Sequence, residues 1–265
     1  MGTTTSSHGP IINYRNQSPG IRIRQVMGMT TSTRFHNLKI RIFGPPVPHD
    51  LLRKERARFL LPSVLMIAAA VMLLISIFLP YWKMELQAPQ YPKGLEMTVY
   101  VNKVQGDVNE VDGLNHYIGM RPISEAGQFE RSMSIIAIAA LIMLVVAAIF
   151  VHNPCALALT WPVMLYPAIF LLDLWVWMRA FGQDLDPTAP LSNIIEPFTP
   201  QIIGSGKVAQ FTTEAIWMPG LYVAIGGSLL IIAGIIFHRR AYKPLLDELR
   251  AANWSEKTAP SEPGS

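Results

Sequence analysis

Four long apolar stretches, separated by polar stretches, dominate the pattern along the chain. Each falls within the roughly 17 to 25 apolar residues that a helix needs to cross a bilayer. The stretches cover residues 60–80, 134–151, 155–178 and 216–237. The pattern predicts an all-α integral membrane protein, a four-helix transmembrane bundle within residues 51–237. The turn at 152–154 is so short that the second and third helices must be antiparallel neighbours.

The polar stretches between the spans predict two long loops, residues 81–133 and 179–215. From Leu95 to Asn102 apolar and polar residues alternate, a period of two that is typical of a strand. The second loop is interrupted by prolines, so we expect it to be irregular and folded over the ends of the helices. The two loops are therefore predicted to form a small cap that includes a short strand or hairpin.

The distribution of basic residues predicts the topology. Residues 1–59 contain ten Lys and Arg against two acids, and residues 238–265 contain five. The loops instead contain more acidic than basic residues, seven against five in 81–133 and four against two in 179–215. By the positive-inside rule, both termini are predicted to be cytoplasmic and both loops to face outward from a bacterial inner membrane. Residues 1–50 are expected to be an irregular basic arm and 238–265 a cytoplasmic tail.

A basic cluster directly precedes the first predicted span. It consists of Arg53, Lys54, Arg56 and Arg58. Such a cluster is typical of an anchor for anionic lipid headgroups. We therefore predict membrane lipid as a partner and no nucleic acid.

Candidate chemistry is concentrated in the segment 106–120, GDVNEVDGLNHYIGM. On a helical turn, His116 and Met120 would share one face because they are four residues apart. Imidazole and thioether groups are ligands for soft metals such as Cu(I), and Met97 or Met84 would supply a third ligand. Two interpretations stay open: a copper site, or a polar cap whose histidine bonds a neighbouring backbone group.

Other polar residues accompany this candidate site. Asp184 and Asp186 lie in the second loop. Asp173 lies within the third predicted span, where an acid either has a function or forms a hydrogen bond near the membrane interface.

Several classes of function are disfavoured by what the sequence lacks. It contains no glycine-rich phosphate loop, no paired-cysteine metal motif and no nucleophile elbow, so we predict that it is not an enzyme. None of its six histidines falls in the middle of a predicted span, which argues against haem between the helices. Its single cysteine excludes an internal disulfide.

Three segments at predicted membrane exits carry a resemblance to a known family: residues 80–95 (PYWKMELQAPQYPKGL), 106–120 and 182–191 (GQDLDPTAPL). In this combination the chain resembles a little-characterised family of bacterial four-span inner-membrane proteins. Members tend to be encoded near nitrous oxide reductase and its copper-maturation genes. The resemblance implies a role in assembling, or supplying copper to, a periplasmic respiratory enzyme. It also implies which positions bear the motif: Asp107, Asp112, Asn115, His116, Tyr117, Gly119 and Met120.

Three hypotheses of function follow. The first is a non-enzymatic accessory protein of a periplasmic or membrane respiratory complex that handles copper at the outer face. The second is a structural or assembly subunit of a larger membrane complex, with protein partners and no metal. The third is a transporter of a small solute or ion, which the scarcity of charged residues in the spans makes the weakest of the three.

Overall fold

The computed structural model describes residues 55–152, 155–191, 194–208 and 211–258. Within them are five α-helices, five β-strands and a short 3-10 turn at Ile123–Glu125. The helices are α1 (Arg56–Ser76), α2 (Val108–Ile118), α3 (Gln128–Phe150), α4 (Cys155–Gln183) and α5 (Pro219–Thr258). The strands are β1 (Trp82–Ala88), β2 (Tyr91–Val99), β3 (Val104–Gly106), β4 (Gly204–Val208) and β5 (Phe211–Trp217). Arg53, Lys54 and the predicted basic arm lie outside the described residues.

Four of these helices, α1, α3, α4 and α5, are long and apolar enough to cross a membrane. They confirm the four candidate spans, with shifted ends. The first helix ends at Ser76 rather than near residue 80, and the fourth begins at Pro219 rather than at 216. Helix α5 continues to Thr258, so the described part of the predicted tail is helical.

The four long helices share one apolar core. Met66 of α1, Val145 of α3, Val163 of α4 and Ile231 of α5 are all fully buried in it. Large apolar side chains on the opposite faces of these helices remain exposed, among them Ile136 and Leu229. Apolar surface of this extent is what lipid solvates in a membrane protein.

The loops form a five-stranded antiparallel sheet with the strand order β3-β2-β1-β5-β4. The prediction of an all-α protein is therefore confirmed only for the four long helices, and the short strand or hairpin expected in the cap is a five-stranded sheet. The strand expected from Leu95 is confirmed as the second half of β2, but the second loop is not irregular over 204–208 and 211–217. Strand β1 lies at the centre, where Met84 is opposite Met97 of β2 on one side and Ala215 of β5 on the other. Strand pairing thus joins the two loops into one unit, which we call the cap.

One face of the sheet is apolar and buried. Along β1, Trp82, Met84 and Leu86 are buried and alternate with less buried polar residues. Phe211, Thr213 and Ala215 are buried in the same alternating way along β5. This period of two places the buried residues on one face, on which α2 and the last turns of α4 pack.

The cap is joined to the helices through a buried tyrosine. The hydroxyl of Tyr81 donates to Ser76 Oγ at 2.9 Å, and the hydroxyl of Tyr166 donates to Tyr81 at 3.1 Å. The Tyr81 ring also packs against Phe170 of α4. These contacts connect the end of α1, the start of the sheet and α4, and they fix how the cap sits on the helices.

Candidate functional site

Helix α2 contains most of the segment singled out by the sequence, and two aspartates fix its position. The Asp107 backbone N–H donates to the Glu96 carbonyl at 2.8 Å, and its carboxylate accepts from the Glu96 N–H at 2.9 Å. The Asp112 carboxylate accepts from the N–H of Ile123 at 2.5 Å and of Ser124 at 3.4 Å. Asp107 therefore attaches the start of α2 to β2, and Asp112 attaches its middle to the 3-10 turn.

A left-handed glycine ends α2. Gly119 has φ of 82°, and the N–H of Met120 donates to the Asn115 carbonyl at 2.9 Å. This is a helix C-terminus of the kind that glycine favours because it has no Cβ. The helix therefore ends at Ile118, and the prediction that His116 and Met120 share one helical face is wrong.

The second loop packs against this helix end. The Gly119 carbonyl accepts from the Asp186 N–H at 2.8 Å, and the Tyr117 carbonyl accepts from the Leu191 N–H at 3.0 Å. A Cβ on Gly119 would lie 2.8 Å from the Asp186 carbonyl oxygen. Gly119 thus allows the two loops to approach as closely as they do.

The acids of the second loop have local partners. Asp184 forms an exposed ion pair with Arg121. Asp186 Oδ1 accepts hydrogen bonds from the hydroxyl of Thr188 at 2.7 Å and from its N–H at 2.8 Å. These two bonds lower the pKa of the Asp186 carboxyl, and the charge of nearby His116 lowers it further. Both aspartates therefore shape the loop.

A cavity of about 50 Å³ lies inside the cap, between α2, the apolar face of the sheet and the end of α4. Its walls are almost entirely apolar. Three thioethers line it, each from a different segment: Met84 of β1, Met120 after α2 and Met178 near the end of α4. The one amide that lines it is Asn115 of α2.

The cavity brings together two of the four predicted copper ligands, Met84 and Met120. Met97 is opposite Met84 on the neighbouring strand and is 1% exposed, but it is not part of the cavity wall. His116 is exposed, does not line the cavity, and has its ring 6.2 Å from that of Tyr117. Among the described residues, no group of three or more His, Cys, Asp or Glu side chains is placed to hold a metal ion.

Sequence reasoning missed Met178 as a candidate because it was counted as the last residue of a membrane span. Helix α4 continues five residues beyond it, to Gln183, and this extension carries Met178 and Phe181 into the cap. The signal available in the sequence was the run Arg179, Ala180 and Phe181, which follows Met178 without a glycine or proline and so allows the helix to continue.

Asp173 lies on α4, before the cavity, and is half-buried. Trp177, one turn further along α4, and Glu130 of α3 are close enough to interact with its carboxylate. Both interpretations of this acid, a function or a hydrogen bond near the membrane interface, stay predictions.

A comparison of the chain with protein-family models and with curated proteins found no match. Fold and site define the class in general terms: a protein with four candidate membrane-spanning helices and a β-sheet cap that contains a small apolar cavity.

Proposed function

We propose that the protein is a non-enzymatic accessory protein of the bacterial inner membrane that holds Cu(I) in the cap, for assembly of a membrane or periplasmic respiratory enzyme. The observation that carries the proposal is the convergence of three thioethers, Met84, Met120 and Met178, on one cavity. Thioethers are soft ligands, and they select Cu(I) over hard cations.

The proposed topology places the cap outside and both polar tails in the cytoplasm. The distribution of Lys and Arg supports this orientation, because the two tails contain ten and five of them and the two loops only five and two. In this orientation the cavity faces the compartment in which a periplasmic enzyme is assembled.

The proposed ligands carry no charge, and this favours release of Cu(I) to a partner. Three thioethers leave the positive charge of Cu(I) without a balancing anion inside an apolar cavity, and an uncompensated buried charge is costly. We therefore expect moderate affinity and release to a partner with better ligands.

Copper titration of the purified full chain tests the proposal. In the presence of a competing Cu(I) chelator, we expect about one equivalent to bind. The double variant Met120→Leu, Met178→Leu keeps the approximate side-chain volume and should weaken binding by at least about ten-fold, since even second-shell changes at metal sites cost about 10- to 100-fold.

Met97→Leu is the matched control, because Met97 lies on the strand next to Met84 but not on the cavity wall. His116→Ala should also keep the equilibrium affinity. Absence of copper binding, or equal binding by the double variant and the wild type, would remove the proposal.

A second candidate function, an assembly subunit without metal, is favoured by exposed apolar side chains at the cap surface. Tyr117 and Ile194 are 56% and 76% exposed, and both are hydrogen-bonded through their backbones to Leu191. A protein partner docked there would cover them. The double variant Tyr117→Ser, Ile194→Ser should lose this partner after solubilisation in a mild detergent, while its copper binding stays unchanged. If the wild-type protein migrates without any partner under the same conditions, this function is contradicted.

A further inference from the structure

The side chain of Asn115 has a property that copper binding does not use. It is 6% exposed, it lines the cavity, and among the described residues none accepts a hydrogen bond from its Nδ2. A primary amide nitrogen carries two N–H donors and is no ligand for a metal cation. Folded proteins rarely leave such a buried donor without an acceptor, because its lost hydration is not replaced.

The surroundings of Asn115 specify the rest of the ligand. Apart from Asn115 and Thr213, the wall consists of apolar side chains, among them Leu86, Val111 and Phe181. Binding sites for small molecules are typically built in this way, with a mostly apolar surface and few polar groups that set the orientation. The ligand must therefore have an apolar body and one acceptor that reaches the amide.

The size and position of the cavity further limit which class of ligand can bind. Its volume, about 50 Å³, is several times the roughly 10–15 Å³ that one water molecule needs. Met178 and Phe181, in the last two turns of a helix apolar enough to cross a membrane, form part of its wall. The cavity therefore adjoins the region from which a lipid-soluble molecule arrives.

We infer that this cavity is a binding site for a lipid-soluble molecule or group with a carbonyl oxygen, to which the Asn115 amide donates a hydrogen bond. Ketone, quinone and ester carbonyls on an apolar body share this chemistry. The inference goes beyond the proposed function, since it assigns Asn115 a ligand that is not a metal.

A matched pair of small ligands tests the inference. The first, para-fluoroacetophenone, has an aromatic ring and a ketone, and the second, para-fluoro-α-methylstyrene, replaces the carbonyl by a methylene group of similar shape. Binding to the full chain in lipid nanodiscs is followed by fluorine NMR, with empty nanodiscs to correct for partition into lipid. We expect the ketone to bind about ten-fold more tightly, the factor that one hydrogen bond supplies.

The variant Asn115→Leu keeps the side-chain volume and removes the donor. Its affinity for the ketone should fall to that for the hydrocarbon, and its affinity for the hydrocarbon should not decrease. Equal binding of the two ligands by the wild type, or a ketone preference that survives in Asn115→Leu, would overturn the inference. The wild-type comparison alone decides the matter if the variant does not fold.

The copper proposal and this inference can fail separately. Asn115→Leu removes no thioether and should still bind about one Cu(I), and the wild type should prefer the ketone when no copper has been added. Nanodiscs of ether-linked and ester-linked phospholipids distinguish the source of the carbonyl. Tighter binding of the ketone in ether-linked lipid assigns the site to a lipid ester, and equal binding assigns it to a free carbonyl compound such as a quinone; both results keep the carbonyl site.

Discussion

The two faces of helix α2 differ in what they contact. Val111, Asn115 and Ile118 are buried against the sheet and line the cavity, whereas His116 and Tyr117 are exposed. Residue types alone point to the exposed face, because histidine is the most versatile ligand in the segment. The structure instead places the enclosed space, the thioethers and the unpartnered donor on the buried face. Roles can therefore be assigned to the residues of a helical segment only after its exposed and buried faces are known.

The largest expected effect on stability comes from a substitution at Gly119, the glycine that ends α2. Gly119→Ala would force a Cβ to within 2.8 Å of the Asp186 carbonyl oxygen in a left-handed backbone conformation. We expect a loss of about 3 kcal/mol in the free energy of unfolding of the cap, measured by thermal unfolding in detergent.

Gly113→Ala is the control for this change, because a Cβ there meets nothing within 4 Å and the position is inside α2. It should stabilise the protein by about 0.5–1 kcal/mol, since alanine favours helix over glycine. Equal effects of the two substitutions would contradict the close approach of the loops.

The second expected effect is a difference in stability between leucine substitutions on the buried and the exposed face of α2. In the protein purified without ligand, Asn115→Leu should raise the free energy of unfolding by about 1–3 kcal/mol, because it removes a buried donor that has no acceptor among the described residues. The same change on the exposed face, His116→Leu, should stay within about 0.5 kcal/mol of the wild type. Destabilisation by Asn115→Leu in the same unfolding assay would show that the amide already has a partner.

The sequence predicted the four long helices because apolar runs of that length have few alternatives, and it predicted β2 from its alternation. Strand β1 alternates equally well, but Trp82 and Lys83 directly follow an apolar run and resemble the aromatic and basic residues of a membrane interface. The end of β5 was assigned to the fourth span for a similar reason, since Ile216 and Trp217 continue its apolar pattern. Pairing of β1 with β5 joins residues about 130 positions apart, for which no local pattern exists.

The candidate site was predicted in part. Met84 and Met120 could be named from ligand chemistry, but their meeting with Met178 depends on the sheet and on the length of α4. His116 and Met120 were assigned to one face by helical spacing, which does not continue past Gly119. The unpartnered amide of Asn115 is a property of packing, and no single-residue pattern contains it.

A smaller effect is expected for the aspartate that attaches α2 to the 3-10 turn. Asp112→Ala removes the acceptor for the N–H groups of Ile123 and Ser124 and should cost about 1–2 kcal/mol. The control Asp184→Ala breaks an exposed ion pair and should cost about 0.5 kcal/mol or less. A greater cost for Asp184→Ala in thermal unfolding would reverse the roles assigned to the two acids.

The smallest effect concerns pH. The pKa of Asp186 is lowered from its ordinary value of 3.8 by its hydrogen bonds to Thr188. Its contribution to stability is therefore fully present above pH 3.8 and is lost as the pH falls through the lower pKa of the folded state. The difference in melting temperature between the wild type and Asp186→Asn should be constant near neutral pH and vanish in acid; a difference that grows in acid would contradict the assignment.

The central claim is that the cap faces outward and that its helix α2 has one exposed and one buried face. Thiol labelling by a membrane-impermeant maleimide in spheroplasts tests this claim most directly. The single native cysteine, Cys155, is exposed at the end of the helices opposite the cap. We expect it to react only after the membrane is permeabilised. In a Cys155→Ala background, Tyr117→Cys should react at once and Asn115→Cys slowly. Immediate reaction of Cys155, with Tyr117→Cys protected until permeabilisation, would contradict the account.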